Sequence, residues 1–303
     1  MRIPSMRIAV ASGKGGTGKT TVATSLALSL NVSRTLLLDC DVEAPNAHLF
    51  LAPTFERREE VGILIPEVDE GRCTFCGRCA EVCQFHAIAV IGQKTLVFPE
   101  LCHGCGSCIL NCPEQAISER LDVMGVLEAG PTPTDTYFAR GVMNVGEPMA
   151  VPIIRQLKQW EMVGNGHRSD HKSSASGWET IILDVPPGTS CPVVESVRGA
   201  DFVLLVTEPT PFGLHDLRLM VEVVQELDIP AGVIINRDGI GTADVDHFCA
   251  EIGLPVLMRI PLDQEIGQGI AQGKPLVDIR PEYADRFRYV CRQIQDILRE
   301  AGR

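Results

Sequence analysis

Residues 13–20 read GKGGTGKT, between the apolar run MRIAVAS and the helical pattern TTVATSLALSL. A glycine loop between a buried strand and a helix lets successive backbone N–H groups turn toward one ligand. The helix adds the positive end of its dipole. Gly13, Gly15, Gly16 and Gly18, with Thr17 and Thr21, are expected to cradle phosphate oxygens. Lys19 is expected to reach the β and γ phosphates, and the Thr20 hydroxyl to bind Mg²⁺. Lys14 is not required by this pattern, so a second lysine in so short a loop needs its own explanation.

The rest of the chain repeats the same grammar. Nearly continuous apolar runs lie at Met6–Ser12, Thr35–Cys40, Thr180–Val185, Phe202–Thr207, Gly232–Asn236 and Pro255–Ile260. They lack polar/apolar alternation, so both faces are expected to be buried, as in a parallel sheet. Helical patterns fall between them at Thr20–Leu30, Pro152–Trp160, Leu214–Leu227, Asp244–Ile252 and Glu282–Arg299. The alternation predicts an α/β fold with a doubly wound, mostly parallel sheet. It breaks between about Val61 and Arg120, a loop-rich stretch crowded with cysteines. We therefore expect a discontinuous domain, 1–60 and 121–303, with a module inserted at 61–120. A second polar loop, Val163–Ser176, carries His167 and His171 and reads as a solvated excursion.

Composition excludes several partners. The net charge is −12, which argues against non-specific binding to a phosphate backbone, so no nucleic acid is expected. The first residues, MRIPSMRIAV, lack a charged region followed by a long apolar run, and no 18-residue apolar stretch occurs. The expected location is the cytoplasm.

The loop, with Lys14 beside Lys19, resembles the deviant phosphate loop of the MinD/ParA/Mrp superfamily of P-loop ATPases, related to the nitrogenase iron protein. The resemblance implies ATP with Mg²⁺, slow hydrolysis, and a homodimer that sandwiches nucleotide. In it Lys14 crosses to the partner's nucleotide, as an arginine finger does elsewhere. Other segments follow in the family's order. LLLDCDVEAPN (Leu36–Asn46) resembles switch I, so Asp41 would position the attacking water and the Mg²⁺ shell, with Asp39 nearby. TIILDVPPG (180–188) resembles the Walker B and switch II segment. Asp184 would hold Mg²⁺, and the Gly188 N–H would meet the γ-phosphate. VIINRD (Val233–Asp238) implies that Asn236 reads adenine. The resemblance spans residues 6–60 and 121–303.

The inserted stretch contains a repeat. Cys73, Cys76, Cys79 and Cys83 recur 29 residues later as Cys102, Cys105, Cys108 and Cys112. Gly77 maps onto Gly106, and Ala87-Ile88 onto Ala116-Ile117. Each run is C-x2-C-x2-C-x3-C, which resembles bacterial two-cluster ferredoxins. That resemblance implies two [4Fe–4S] clusters in a small α+β domain. Cluster I would take Cys73, Cys76, Cys79 and Cys112; cluster II would take Cys102, Cys105, Cys108 and Cys83. Gln84 departs from the pattern, standing where proline usually follows the fourth cysteine. Structural zinc is the competing reading, but zinc prefers separated pairs to repeated quartets.

Four cysteines remain. Cys249 and Cys291 lie in helical apolar patterns and read as packing residues. Cys191 lies seven residues after Asp184. The nitrogenase iron protein has a bridging-cluster cysteine at that offset, but no second cysteine lies just upstream of Asp184 and Cys40 is a poor substitute. A small residue on a mobile loop is the simpler reading of Cys191. In the last helix Tyr283, Phe287, Val290, Cys291, Ile294, Ile297 and Leu298 make one apolar stripe, expected in the core rather than on a membrane. Three functions fit: ATP-gated electron transfer to a redox partner, delivery of clusters to an accepting protein as in the Mrp branch, or a MinD-like positioning ATPase with sensing clusters.

Overall fold

A computed structural model of the chain describes residues 6–30, 34–134, 136–160 and 177–302. The polar loop at 163–176, with His167 and His171, lies outside the described residues. In chain order, β1 (Met6–Ala11), α1 (Lys19–Ser29), β2 (Thr35–Asp39) and α2 (His48–Leu51) lead into β3 (Arg57–Val68). Next come α3 (Arg78–Glu81), β4 (Ile88–Ile91), β5 (Lys94–Val97), α4 (Ser107–Leu110), β6 (Ile117–Pro131) and β7 (Thr136–Met143). Then follow α5 (Val151–Trp160), β8 (Thr180–Asp184), α6 (Cys191–Val197), β9 (Phe202–Thr207) and α7 (Pro211–Glu226). The chain ends with β10 (Ala231–Asp238), α8 (Asp244–Glu251), β11 (Val256–Pro261), α9 (Gln264–Ala271), α10 (Leu276–Ile279) and α11 (Glu282–Glu300).

Among the described residues one sheet has the order β11-β10-β9-β1-β8-β2-β7-β6-β3. The pairings from β11 through β7 are parallel. β2, β8 and β9 are buried along their whole length, as continuous apolar runs require. β1 lies between β9 and β8: the chain runs from β1 to β2 on one side and later from β8 back past β1 to β9 on the other. Such a switch point opens a crevice at the carboxyl ends of the strands. The α11 stripe is committed to the main core: Tyr283, Phe287, Val290, Cys291, Ile294 and Leu298 are all buried there. No helix among the described residues is long and apolar enough to cross a membrane.

Strands β3, β6 and β7 were not anticipated. β3 begins RREE and β6 begins ISERLD, with consecutive exposed positions before most of the buried ones. They lie at one end of the sheet order, and exposed, mostly polar runs at 58–60 and 118–121 break the apolar pattern.

The chain divides into two compact units. One comprises Met1–Arg58, Leu127–Val142 and Ile154–Arg303; the other comprises Glu59–Val126 and Met143–Ile153. In the smaller unit the 29-residue repeat is a repeat of backbone shape. Phe75 and Gly104 have φ +58° and +63°, Gly77 and Gly106 +80° and +70°, and His86 and Gln115 +52° and +49°. α3 and α4 occupy matching places, as do the starts of β4 and β6. Its apolar clusters are small: Ile65, Ala87 and Cys102 in one, and Cys79, Ile88 and Ile117 in the other.

The larger unit's core is conventional, and its energetics follow. Ile182, mid-β8, has 0 % exposure. Ile182→Ala should destabilise the protein by about 2–5 kcal/mol, read as a shift in the urea midpoint. A loss under about 1 kcal/mol would show that the centre of the sheet is not packed as described.

Candidate functional site

The glycine loop follows β1 and ends in α1. Gly18 has φ +90°, and a Cβ there would lie 2.3 Å from the Asn236 Nδ2. Only glycine tolerates both the backbone and the approach. The Asn236 amide donates to the Thr17 carbonyl at 2.7 Å, tying the end of β10 to the loop. A cavity of about 490 Å³ opens above. Its floor is Ser12 and residues 14–21; Asp41, Ala44, Asn46 and Phe50 line it too, as do Asn236, Arg237, Pro261, Leu262 and Ile266. Asp263 caps α9 by accepting from the N–H groups of Glu265 (2.7 Å) and Ile266 (3.2 Å), which fixes the segment after β11.

Charge concentrates beneath the loop. Asp39 and Asp184 are register partners across β2 and β8, and both have 0 % exposure. The Lys19 ammonium donates to Asp184 Oδ1 at 2.6 Å. Burial works against that ammonium, but Asp184, Asp39 and Asp41 outweigh it and raise its pKa. Asp39 accepts from the N–H of Ala47 (3.0 Å) and of Asp41 (3.2 Å). Burial, with Asp184 beside it, pushes the Asp39 carboxyl up to about 8. Burial also raises Asp41, which opens on the cavity. Asp184 Oδ2 and Thr17 Oγ1 are buried and have no hydrogen-bond partner. An unanswered carboxylate oxygen beside the loop lysine, with Asp41 nearby, suits a hard divalent cation.

The expected residues separate into groups. Gly15, Gly16, Thr17, Gly18, Lys19, Thr20, Thr21, Asp41 and Asn236 all line the cavity. Gly13 packs instead on α7, where a Cβ would come within 2.3 Å of the Asp216 carbonyl. The Gly188 N–H donates to the Ser12 carbonyl at 3.0 Å, so it is engaged within the chain and does not face the cavity. Lys14 lines the cavity, but its ammonium is hydrogen-bonded to Glu208. Sequence reasoning missed Glu208, although it ends the apolar strand FVLLVT much as Asp39 and Asp184 end theirs. Cys191 is exposed and is the first residue of α6, not part of a loop. Cys40 has 0 % exposure, and burial pushes its thiol up to about 12.

All twelve cysteines are free thiols. In the smaller unit two cavities divide eight of them. One is lined by Cys73, Cys76, Cys79 and Cys112. The other is lined by Cys83, Cys102, Cys105 and Cys108. Each cavity draws three thiols from one run and the fourth from the other. Backbone N–H groups donate to matching sulfurs: Phe75 to Cys73 (3.4 Å) and Gly104 to Cys102 (3.5 Å). Ala87 to Cys83 and Ala116 to Cys112, both at 3.3 Å, complete the set. Among the described residues no three His, Cys, Asp or Glu side chains converge on a point suited to a single metal ion. Soft thiols rimming a cavity, each run supported by N–H donors, fit an iron–sulfur cube.

A two-lysine glycine loop at the switch point of a parallel sheet, with carboxylates ending the neighbouring strands, defines a P-loop nucleotide-binding protein. Residues 8–276 match the CobQ/CobB/MinD/ParA nucleotide binding domain, and the chain belongs to that family. It is 31 % identical to an uncharacterised protein of Methanocaldococcus jannaschii, over 94 % of this chain and 95 % of that one. It is 24 % identical to the iron-sulfur cluster carrier protein of Aquifex aeolicus, over 98 % of this chain and 70 % of that one. The septum site-determining protein MinD of Pyrococcus horikoshii, solved with Mg-ADP, shares the fold, with a TM-score of 0.56 at 19 % identity over 97 % of each chain. P-loop ATPase activity is the family's property.

The buried carboxylates generate a pH prediction. The folded pKa of Asp39, about 8, lies above the unfolded value of ~3.9. The folded state therefore holds the extra proton within that window, and stability falls as pH rises through it. Urea midpoints of the nucleotide-free protein should decline between about pH 5 and pH 8, and Asp39→Asn should flatten the decline. An unchanged slope in the variant would assign the effect elsewhere.

Proposed function

We propose that this protein is a homodimeric ATPase that hydrolyses ATP slowly, carries two [4Fe–4S] clusters in its smaller unit, and uses the ATP cycle to gate electron transfer to a partner protein. The observation that carries the redox reading is the crossing of the cysteine runs, each cavity being rimmed by one complete quartet. When bound, the clusters would supply one-electron redox chemistry. The eight thiols then have a structural task as well, because apolar clusters as small as those of this unit gain folding energy from a ligated group. Residues 61–120 act as the cluster-bearing domain, and 1–60 with 121–303 as the ATPase.

In the nucleotide site Lys19 turns from Asp184 to the β and γ phosphates. Thr20, Asp184 and Asp41 take the Mg²⁺ shell, directly or through water. Asp41 orients the attacking water. Asn236 sits where a base would lie against Pro261, Leu262 and Ile266. Lys14 serves the partner's nucleotide, which explains the second lysine. Switch I leads through α2 into β3, whose continuation enters the smaller unit, so nucleotide state has a covalent route to the cysteines.

A second reading is cluster delivery. It is favoured by the Aquifex aeolicus relative, named an iron-sulfur cluster carrier, and by the exposure of Cys76 and Cys105. Enclosure of each quartet within one chain favours retention instead.

Anaerobically reconstituted protein should hold about eight irons per chain. Cys191→Ala should leave that number unchanged; a loss of iron would implicate a bridging cluster. Lys14→Ala should keep nucleotide binding and lower kcat by about 10³-fold or more. Retained hydrolysis would remove the role in the partner's site. Mixing with an apo-acceptor and ATP separates the two readings. Electron transfer predicts a change of redox state with iron retained, whereas iron moving at constant redox state would establish delivery.

A further inference from the structure

Lys14 has a partner within its own protomer that the proposed reaction does not use. Its ammonium is hydrogen-bonded to Glu208 Oε1. The Lys14 side chain is 31 % exposed and that of Glu208 9 %, so this is not the solvent-bathed pair that contributes little. The same oxygen accepts from the Thr210 hydroxyl at 3.4 Å, and the other carboxylate oxygen accepts from Arg237 Nη1 at 3.0 Å. Arg237 is held in turn. Its backbone is left-handed, with φ +53°, and its N–H donates to Asn236 Oδ1 at 2.9 Å. Asn236 donates to the Thr17 carbonyl. The links run from the loop floor through the base end of the cavity to the second lysine. The fit is close: a Cβ at Gly213 would come within 2.2 Å of the Glu208 carbonyl.

We propose that Glu208 parks Lys14 within its own protomer, and that transfer of Lys14 from this carboxylate to the partner's nucleotide is a step in closing the dimer. The inference rests on the ATP-sandwich reading given above. Parking a cation on a buried carboxylate normally makes release costly, because the carboxylate is left unpaired. Glu208 avoids that outcome. When Lys14 leaves, Arg237 still neutralises one oxygen and the Thr210 hydroxyl remains on the other. The carboxylate therefore acts as a positioning residue that sets the threshold for dimer closure. ATP supplies the competing anion, and only a second protomer brings it within reach. A lone protomer keeps its second lysine engaged, which suppresses futile hydrolysis.

The test follows specific ATPase activity against protein concentration at saturating MgATP, with thermal unfolding of each variant as a control. Glu208→Gln keeps the shape and weakens the parking. The concentration giving half-maximal activity should fall on the order of tenfold, with maximal turnover little changed. Arg237→Gln leaves Lys14 as the only cation on Glu208 and should move the same midpoint upward. A structural role alone would not shift the two variants in opposite directions. Glu208→Asp, which keeps the charge, should stay nearer the wild type than Glu208→Gln. In a Lys14→Ala background, Glu208→Gln should no longer alter ATP-dependent dimerisation measured by sedimentation. Midpoints unmoved, or moved the same way in both variants, while Lys14→Ala is inactive, would overturn the latch and leave the sandwich intact. Wild-type activity independent of concentration, with no ATP-dependent dimer, would remove both.

Discussion

Asp39 and Asp184 lie side by side at the ends of β2 and β8, out of contact with solvent, with Lys19 between them and the loop. This arrangement is expensive in isolation. Only Asp184 binds the ammonium, Asp39 beside it holds its proton to about pH 8, and the other oxygen of Asp184 is unanswered. The sheet pays for it through continuous apolar burial on both sides of β1, β2, β8 and β9. The geometry of the nucleotide cavity follows. The loop can turn only where Gly18 abuts Asn236, and the region around Asp41 hangs from the Asp39 carboxylate, which holds the Ala47 N–H.

The smaller unit is organised on a different principle. It repeats one backbone shape twice at an offset of 29 residues, and each copy contributes three thiols to one cavity and one to the other. Neither copy is complete without its twin. Apolar clusters as small as Ile65, Ala87 and Cys102 are a thin core, so on the proposed reading thiol ligation and the exchange of the fourth cysteine would carry weight that leucines carry elsewhere.

Much of this was legible in the sequence. Continuous apolar runs marked β1, β2, β8, β9, β10 and β11 within a residue or two, because a strand buried on both faces has no alternation to disguise it. The glycine loop announced itself through Lys14 and Lys19. β3 and β6 were hidden because exposed runs rich in charge, at 58–60 and 118–121, interrupt the apolar pattern. Gly188 and Glu208 were illegible for a different reason. Which carbonyl takes the Gly188 N–H, and which ammonium meets Glu208, depends on side chains and loops distant in sequence. A strand-end carboxylate after FVLLVT was a visible clue, but its partner Lys14 lies 194 residues away.

The account joins an ATP cycle to a redox module, and the reduction potentials test that junction most directly. An EPR-monitored titration of the reconstituted protein, run with MgADP and again with a non-hydrolysable ATP analogue, compares the two nucleotide states. The account predicts that at least one cluster shifts by on the order of 60 mV, a decade in the equilibrium of a one-electron couple. Identical potentials in both states would contradict it.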